Sequence, residues 1–204
     1  MVTSTTTTAT GLRARKKAQL REAIEREGLR LFADHGFDGT TVDAIAEACN
    51  VSATTVFRYF PTKEDIVFAS AARDGDTLVE LLAQQPEDLE PAAALSRALS
   101  ALCDEMAENK ANVTKNLRMI ENSISLRARK AEWQQRWEHS VLDELRRRSN
   151  ATHQPVDDLI LRLITATGLS SFRIAVEVWA TKRRGALDDI FEIAREHLAK
   201  GFDT

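Results

Sequence analysis

Apolar residues return every three or four positions through most of the chain, the spacing of helices that bury one face. No stretch of useful length alternates as a half-buried strand would. The first helix is expected from about Arg13 to His35, with Leu20, Ile24, Leu31 and Phe32 on one face and small Gly28 among them. Gly36 stands where a helix C-cap glycine belongs, and Gly39 serves the tight turn after it. Thr41 is placed to cap a short second helix, Val42 to Cys49, with Ile45, Ala46 and Cys49 inward. Asn50-Val51-Ser52 makes a turn, and a third helix runs from about Ala53 to Phe60, burying Val56, Phe57 and Phe60. Pro61 stops it, and Thr62 caps a fourth helix whose first turn carries Glu64 and Asp65, where a helix N-terminus favours acid.

Beyond this point the helices lengthen. The fourth is expected to reach about Leu82, with Pro86 and Pro91 marking a loop. Further helices are expected over 92–108, 111–123, 126–148, 156–181 and 186–200, with a break from Asn150 to Pro155. A chain with only 8 Gly and 4 Pro, rich in Ala, Leu, Glu and Arg, suits an all-α fold. Its 204 residues suffice for one large core or two modest ones. Three regions follow: a Thr-rich tail over 1–12 expected to be disordered, a helix-turn-helix unit over 13–62, and a six-helix body over 63–204.

Charge is distributed unevenly along this plan. Residues 1–21 carry Arg13, Arg15, Lys16, Lys17 and Arg21 and no acid, so a total of −3 leaves −8 on the other 183 residues. A small basic end on an acidic body suits a polyanion partner at that end alone, and a merely solvated basic arm is the plainer alternative. Cys49 and Cys103 lack CxxC spacing and read as reduced core residues. The first stretch has no apolar centre of a signal peptide, and no apolar run is expected to reach the roughly 20 residues that span a bilayer. A cytoplasmic protein without a membrane partner is the expectation. His35, His139, His153 and His197 are scattered, and no GxSxG, HExxH, P-loop or dinucleotide fingerprint occurs, so nothing points to an enzyme, a metal or another cofactor.

Residues 42–60 have the form of a helix-turn-helix: one helix braces, and the next lies in the major groove. The second must be apolar behind and small or polar in front. Val56, Phe57 and Phe60 supply the back, leaving Ser52, Thr54, Thr55, Arg58 and Tyr59 in front. Arg58 has the reach for guanine O6/N7, and the threonines for base edges or thymine methyls. Tyr59 and Lys63 suit phosphates, helped by backbone N–H groups at the start of the fourth helix. An ordinary helix pair in a bundle would show the same alternation.

The string Gly36-Phe37-Asp38-Gly39-Thr40-Thr41-Val42, then Ile45-Ala46, Val51-Ser52 and Val56-Phe57-Arg58-Tyr59-Phe60-Pro61-Thr62-Lys63-Glu64, closely resembles the TetR family of bacterial repressors. The resemblance covers about residues 13–70. It implies a tetracycline-repressor-like all-α fold, a homodimer, and release from a palindromic operator when a small molecule enters the body. It also implies phosphate contacts at Thr41, Tyr59 and Lys63, base-facing positions at Ser52, Ala53, Thr54, Thr55 and Arg58, and a basic arm of Arg15, Lys16 and Lys17 at the minor groove or flanking backbone. Asn116-Leu117-Arg118-Met119-Ile120 and Leu126-Arg127-Ala128-Arg129 resemble a branch answering to acyl-CoA-like or other lipophilic ligands. That branch often has a proline where this chain has Ser123-Ile124-Ser125.

In the body, Leu102, Met106, Met119, Ile120, Leu126, Trp133, Trp137 and Phe172 are candidates to line an apolar effector pocket, and ordinary core packing explains them as well. No acidic or His cluster is expected to converge there, which disfavours a metal or a cationic drug. Arg118 or Arg127 would stand at the mouth, while Arg118, Arg127, Arg129, Lys130 and Arg136 together read as a solvated face. Arg146, Arg147 and Arg148 fall at a helix C-terminus, which favours cations. The last two helices carry more apolar residues than one buried face needs: Leu187, Ile190, Phe191, Ala194 and Leu198 form one stripe, and small Thr165, Ala166, Gly168, Ser170 and Ser171 would allow close approach. Four such helices from two chains would bury them. A ligand-independent architectural or adaptor protein is the alternative, favoured by a solid body. An apolar cavity above about 300 Å³ would favour the sensor.

Overall fold

A computed structural model describes residues 6–151, 155–181 and 185–200. They form ten helices and, among the described residues, no strand: α1 Thr6–His35, α2 Val42–Ala48, α3 Ala53–Tyr59, α4 Glu64–Val67, α5 Ala69–Ala83, α6 Pro91–Ala107, α7 Lys110–Asn122, α8 Ile124–Asn150, α9 Asp158–Thr181 and α10 Leu187–Lys200. The all-α expectation holds, with two differences in extent. α1 begins at Thr6 instead of near Arg13, so most of the tail expected to be disordered continues the helix, and residues 1–5 lie outside the described residues. Adding turns to an existing helix avoids the nucleation cost, so even threonines can follow. The expected fourth helix is divided into α4 and α5 at Phe68, whose backbone leaves helical geometry (φ −91°, ψ 8°). There the ring is buried and stacks on Trp133 with centroids 6.2 Å apart.

Two apolar cores organise these helices. The first joins Ile24, Leu31, Phe32, Phe37, Ile45, Val56 and Phe60 with Ile66, Phe68, and Ile120 and Leu126 from α7 and α8. It therefore runs past residue 62 through α4 to the start of α5, and takes in Ile120 and Leu126 from further along the body. Gly28 lets α1 lie against α4, since a Cβ there would sit 2.8 Å from Ile66 Cγ2. Gly36 adopts φ +77° at the end of α1, and Thr40 ties the following turn by donating its hydroxyl to Gly36 O at 2.8 Å and Leu31 O at 3.2 Å. Asn50 takes the left-handed φ of 54° between α2 and α3, which Asn tolerates better than other side chains.

The second core packs Leu78, Leu82, Leu95, Leu99, Leu102, Leu145, Phe172 and Trp179 between α5, α6, α8 and α9, with Leu187 and Phe191 of α10. α9 lies against α6, α7, α8 and α10. It is long and apolar enough to cross a bilayer by length and composition, against the expectation that no run would be. Gly168 of α9 faces α6, where a Cβ would meet Leu95 Cδ2 at 2.8 Å. Thr165 and Ser171 also face inward, so the small-residue run splits between the core and the outside. Of the three arginines at the C-terminus of α8, Arg148 is buried and serves another helix: its guanidinium donates to Leu82 O at 3.2 Å and Gln85 O at 2.9 Å, closing the end of α5. Arg146 donates to Asp158 at 2.7 Å, fastening α8 to α9 across a break whose residues 152–154 lie outside the described residues.

Candidate DNA interface and effector region

Both helices of the helix-turn-helix are capped by their own side chains. Thr41 Oγ1 accepts the Ala44 N–H at 3.1 Å, and Ser52 Oγ accepts the Thr55 N–H at 3.1 Å. Capping of this kind typically contributes about 1 kcal/mol. Ser52 and Thr55 also share a hydroxyl hydrogen bond of 2.9 Å, so both are partly occupied by the turn itself. Val56 and Phe60, four apart, hold α3 against α1 and α2. Thr54 and Arg58 stand exposed on the opposite side, with Ala53, Thr55 and Tyr59 half-buried at its margins.

Phe57 corrects the expected back face. It is 48% exposed, although the apolar pattern groups it with Val56 and Phe60. A seven-residue helix covers only one narrow face, and Phe57 lies about 100° round from Val56. A large exposed ring next to Thr54 and Arg58 is suited to thymine methyl groups. Lys63 also differs from expectation. Its ammonium donates to Phe37 O at 2.7 Å and Thr40 O at 2.9 Å and lies over the Phe37 ring. Two of its three N–H donors thus hold the α1–α2 turn.

Arg13, Arg15, Lys16 and Lys17 are exposed along α1, on the helix expected from about Arg13. Four residues beyond Lys17, Arg21 lies over the Phe60 ring at 5.0 Å, beside the end of α3. The spacing Arg13, Lys17, Arg21 gives these cations one face, a signal present in the sequence and passed over there.

The eight candidate pocket residues do not converge. Leu102, Met106, Trp137 and Phe172 belong to the body core, while Met119, Ile120, Leu126 and Trp133 pack against the core of the DNA-binding unit. Two concavities stand elsewhere: one of about 260 Å³ beside Glu87, Glu90 and Arg148, and one of about 380 Å³ on the outer face of α9 and α10. The basic residues of α8 are more engaged than a solvated face. Arg129 reaches Asp65 of α4 at 2.6 Å and also pairs with Glu132, and Lys130 meets Glu177 of α9 at 3.0 Å. Burial works against the charge of Asp65, but hydrogen bonds from Arg129 and Thr62 outweigh it and hold the carboxyl below its usual range.

One acid stands at the edge of the body core. Asp74 of α5 is half-buried, three residues beyond Ala71, whose carbonyl accepts the Trp137 indole N–H at 3.1 Å, and four before fully buried Leu78. Burial pushes its carboxyl up to about 6, with repulsion from Glu105 and Glu25 adding to the effect against the attraction of Arg73. Arg73 itself is committed to Glu25 through two hydrogen bonds of 2.7 Å.

A capped helix pair with an exposed second helix, set on a basic stem and fused to a helical body, defines a helix-turn-helix regulator. Residues 16–69 match the model of bacterial regulatory proteins of the tetR family, and residues 89–203 match that of the MftR C-terminal domain. The chain belongs to the TetR family. It is similar to the transcriptional regulator TcmR of Streptomyces glaucescens, 35% identical over 100 residues, which is 49% of this chain and 44% of that protein. The match thus spans less than half of that relative's length. MftR of Mycobacterium tuberculosis, a proposed mycofactocin biosynthesis regulator, is 24% identical over 93% of this chain and 94% of its own. The fold resembles that of Thermus thermophilus FadR, solved with lauroyl-CoA, with a TM-score of 0.56 and 24% identity over 90% of this chain and 95% of that one.

Proposed function

We propose that the protein is a cytoplasmic, homodimeric repressor that binds a palindromic operator and is released from it by a small, largely apolar effector. The observation that carries the reading is the front of α3, where Thr54, Phe57 and Arg58 stand exposed on a helix clamped from behind by Val56 and Phe60. In this reading Arg58 reads guanine, Phe57 and Thr54 meet thymine methyls, and Ala53 allows close approach. Ser52, Thr55, Thr41 and Tyr59 line the flanks, Lys63 adds one phosphate contact, and Arg15, Lys16 and Lys17 follow the flanking backbone. The dimer forms through α9 and α10. Leu159, Leu163 and Ile174 of α9 and Ile193 and Leu198 of α10 are exposed, lying on and around the 380 Å³ groove with Ala166, Ser170 and Ala194. This same apolar face accounts for the composition of α9 without a bilayer. A two-fold axis there presents two recognition helices to two half-sites.

The effector reading draws on the solved complex of FadR with lauroyl-CoA and on the matched C-terminal domain. The ligand-independent alternative is favoured by one observation: the eight candidate residues are divided between two packed cores. Selection of bound sequences from a random duplex pool tests operator binding. Enrichment of a palindrome with two half-sites about one helical turn apart is expected, and no enrichment overturns the reading. Addition of acyl chains to the selected complex separates sensor from adaptor.

A further inference from the structure

The seam between α4 and α8 holds two buried donors with nothing to donate to. Arg129 Nε and Trp133 Nε1 are shielded from solvent, and neither has a hydrogen-bond partner. Such orphans are rare in folded proteins because each carries the loss of its hydration uncompensated. Both groups donate only, so what the seam lacks is an acceptor. They lie four apart on α8 and therefore on one face. Arg136 lies over the Trp133 ring at 4.4 Å and adds a second positive charge. Next to the donors the surroundings turn apolar. Phe68, Met119, Ile120 and Leu126 pack in the same cluster as Trp133, and Met119 is only half-buried, with an unbranched side chain that can swing aside.

We infer that this seam binds an oxyanion, carboxylate or phosphate, carried on an apolar chain, and that the oxyanion takes Arg129 away from Asp65. The inference rests on the effector reading above and names the chemistry that serves it. Arg129 already faces two acids, Asp65 and Glu132, so an anion at its free Nε repels both and competes with them for the guanidinium. Asp65 is the one that matters for DNA. Its second oxygen accepts the Thr62 N–H at 3.0 Å, closing the turn that leads into α4 directly after Pro61, two residues beyond the end of the recognition helix. Losing Arg129 loosens the support of α4, and with it the placement of α3. Ligand recognition and release of DNA thereby share one guanidinium.

The test uses the full chain labelled with 15N, whose three tryptophans give three indole signals, that of Trp133 identified with Trp133→Phe. Dodecanoate, dodecyl phosphate and dodecanol are titrated with and without operator DNA. Dodecanoate or dodecyl phosphate should bind about tenfold more tightly than dodecanol, as a charge-assisted hydrogen bond allows. The anion should also shift the Trp133 indole signal and release operator, and whichever anion binds more tightly identifies the head group. Asp65→Asn, which frees Arg129, should tighten binding of that anion several-fold. If all three compounds bind alike and release DNA, the oxyanion site is wrong and the effector reading stands. If none binds, both fall. The wild-type comparison decides the matter even if a variant fails to fold.

Discussion

The two cores leave opposite kinds of group outside. Among the described large apolar residues of the DNA-binding unit and its stem, Leu12 and Phe57 stand exposed, and with them Arg13, Arg15, Lys16, Lys17, Thr54 and Arg58. The body exposes Leu159, Ile160, Leu163, Ile174, Ile193 and Leu198 and places an acid, Asp74, against its own interior. Each remainder describes a missing complement. On the proposed reading, a cationic front with one exposed ring is completed by a polyanion with methyl groups in its groove, and an apolar face along two helices by a second copy of itself. One domain is finished by electrostatics and the other by the hydrophobic effect, so salt and protein concentration should act on different halves of the molecule.

The sharpest break of that comparison is a charge in the apolar face. Ile174, 48% exposed on the groove of α9, stands outside the packed core of the body, so Ile174→Glu should leave the thermal midpoint of the fold nearly unchanged. It should convert dimer to monomer in sedimentation and reduce operator affinity by about 10²–10⁴-fold, because two linked recognition helices become two independent ones. A variant that stays dimeric with full affinity would place the two-fold axis elsewhere.

The same division explains what was legible beforehand. In the first 70 residues almost every position does a local job that leaves a mark: Gly36 ends a helix, Thr41 and Ser52 cap two others, and Val56 and Phe60 share a face. Phe57 was misplaced because an apolar residue in a short helix reads as core until the neighbouring helices are seen to cover only one side. In the body the helices were legible and their partners were not. Whether Trp133 faces the DNA-binding unit or Trp137 the body core depends on how α8 crosses α5, which no local spacing encodes. Arg129 reads as solvated and Arg148 as a helix-end cation for the same reason: their partners, Asp65 and the carbonyls at the end of α5, lie more than sixty residues away.

A second pair of variants sharpens the account of the DNA front. Arg58→Ala should cost about 1–3 kcal/mol on the selected operator and relax preference at one base pair in each half-site. Phe57→Ala should cost about 1 kcal/mol, with the loss concentrated at thymine-containing positions. Equal losses on selected and random DNA would remove either residue from base readout. Lys63→Ala differs in kind, since the ammonium holds Phe37 O and Thr40 O. It should lower fold stability by about 1–2 kcal/mol and reduce the salt slope of binding by about one, without altering sequence preference.

The smallest effect separates the two halves by pH. Asp74 faces Glu105 of α6, Glu25 of α1 and its neighbour Arg73, and its carboxyl is raised from the ordinary 3.8 to about 6, chiefly by burial. Below about pH 4 the carboxyl is protonated in both folded and unfolded chains and costs nothing. Between about 4 and 6 the unfolded chain releases the proton while the native one retains it, so stability falls as pH rises, and above about 6 the full penalty persists. Asp74→Asn should remove that penalty, raising stability at pH 7.5 by about 1–2 kcal/mol and leaving it unchanged at pH 4. Asp65 has the opposite sign: its lowered carboxyl contributes stability at neutral pH that is lost on acidification through its folded-state value. Denaturant unfolding at the two pH values, in wild type and Asp74→Asn, reads the difference directly. Equal gains at pH 4 and 7.5 would mean that the asparagine acts through packing, and that the carboxylate of Asp74 is not the cost the body carries.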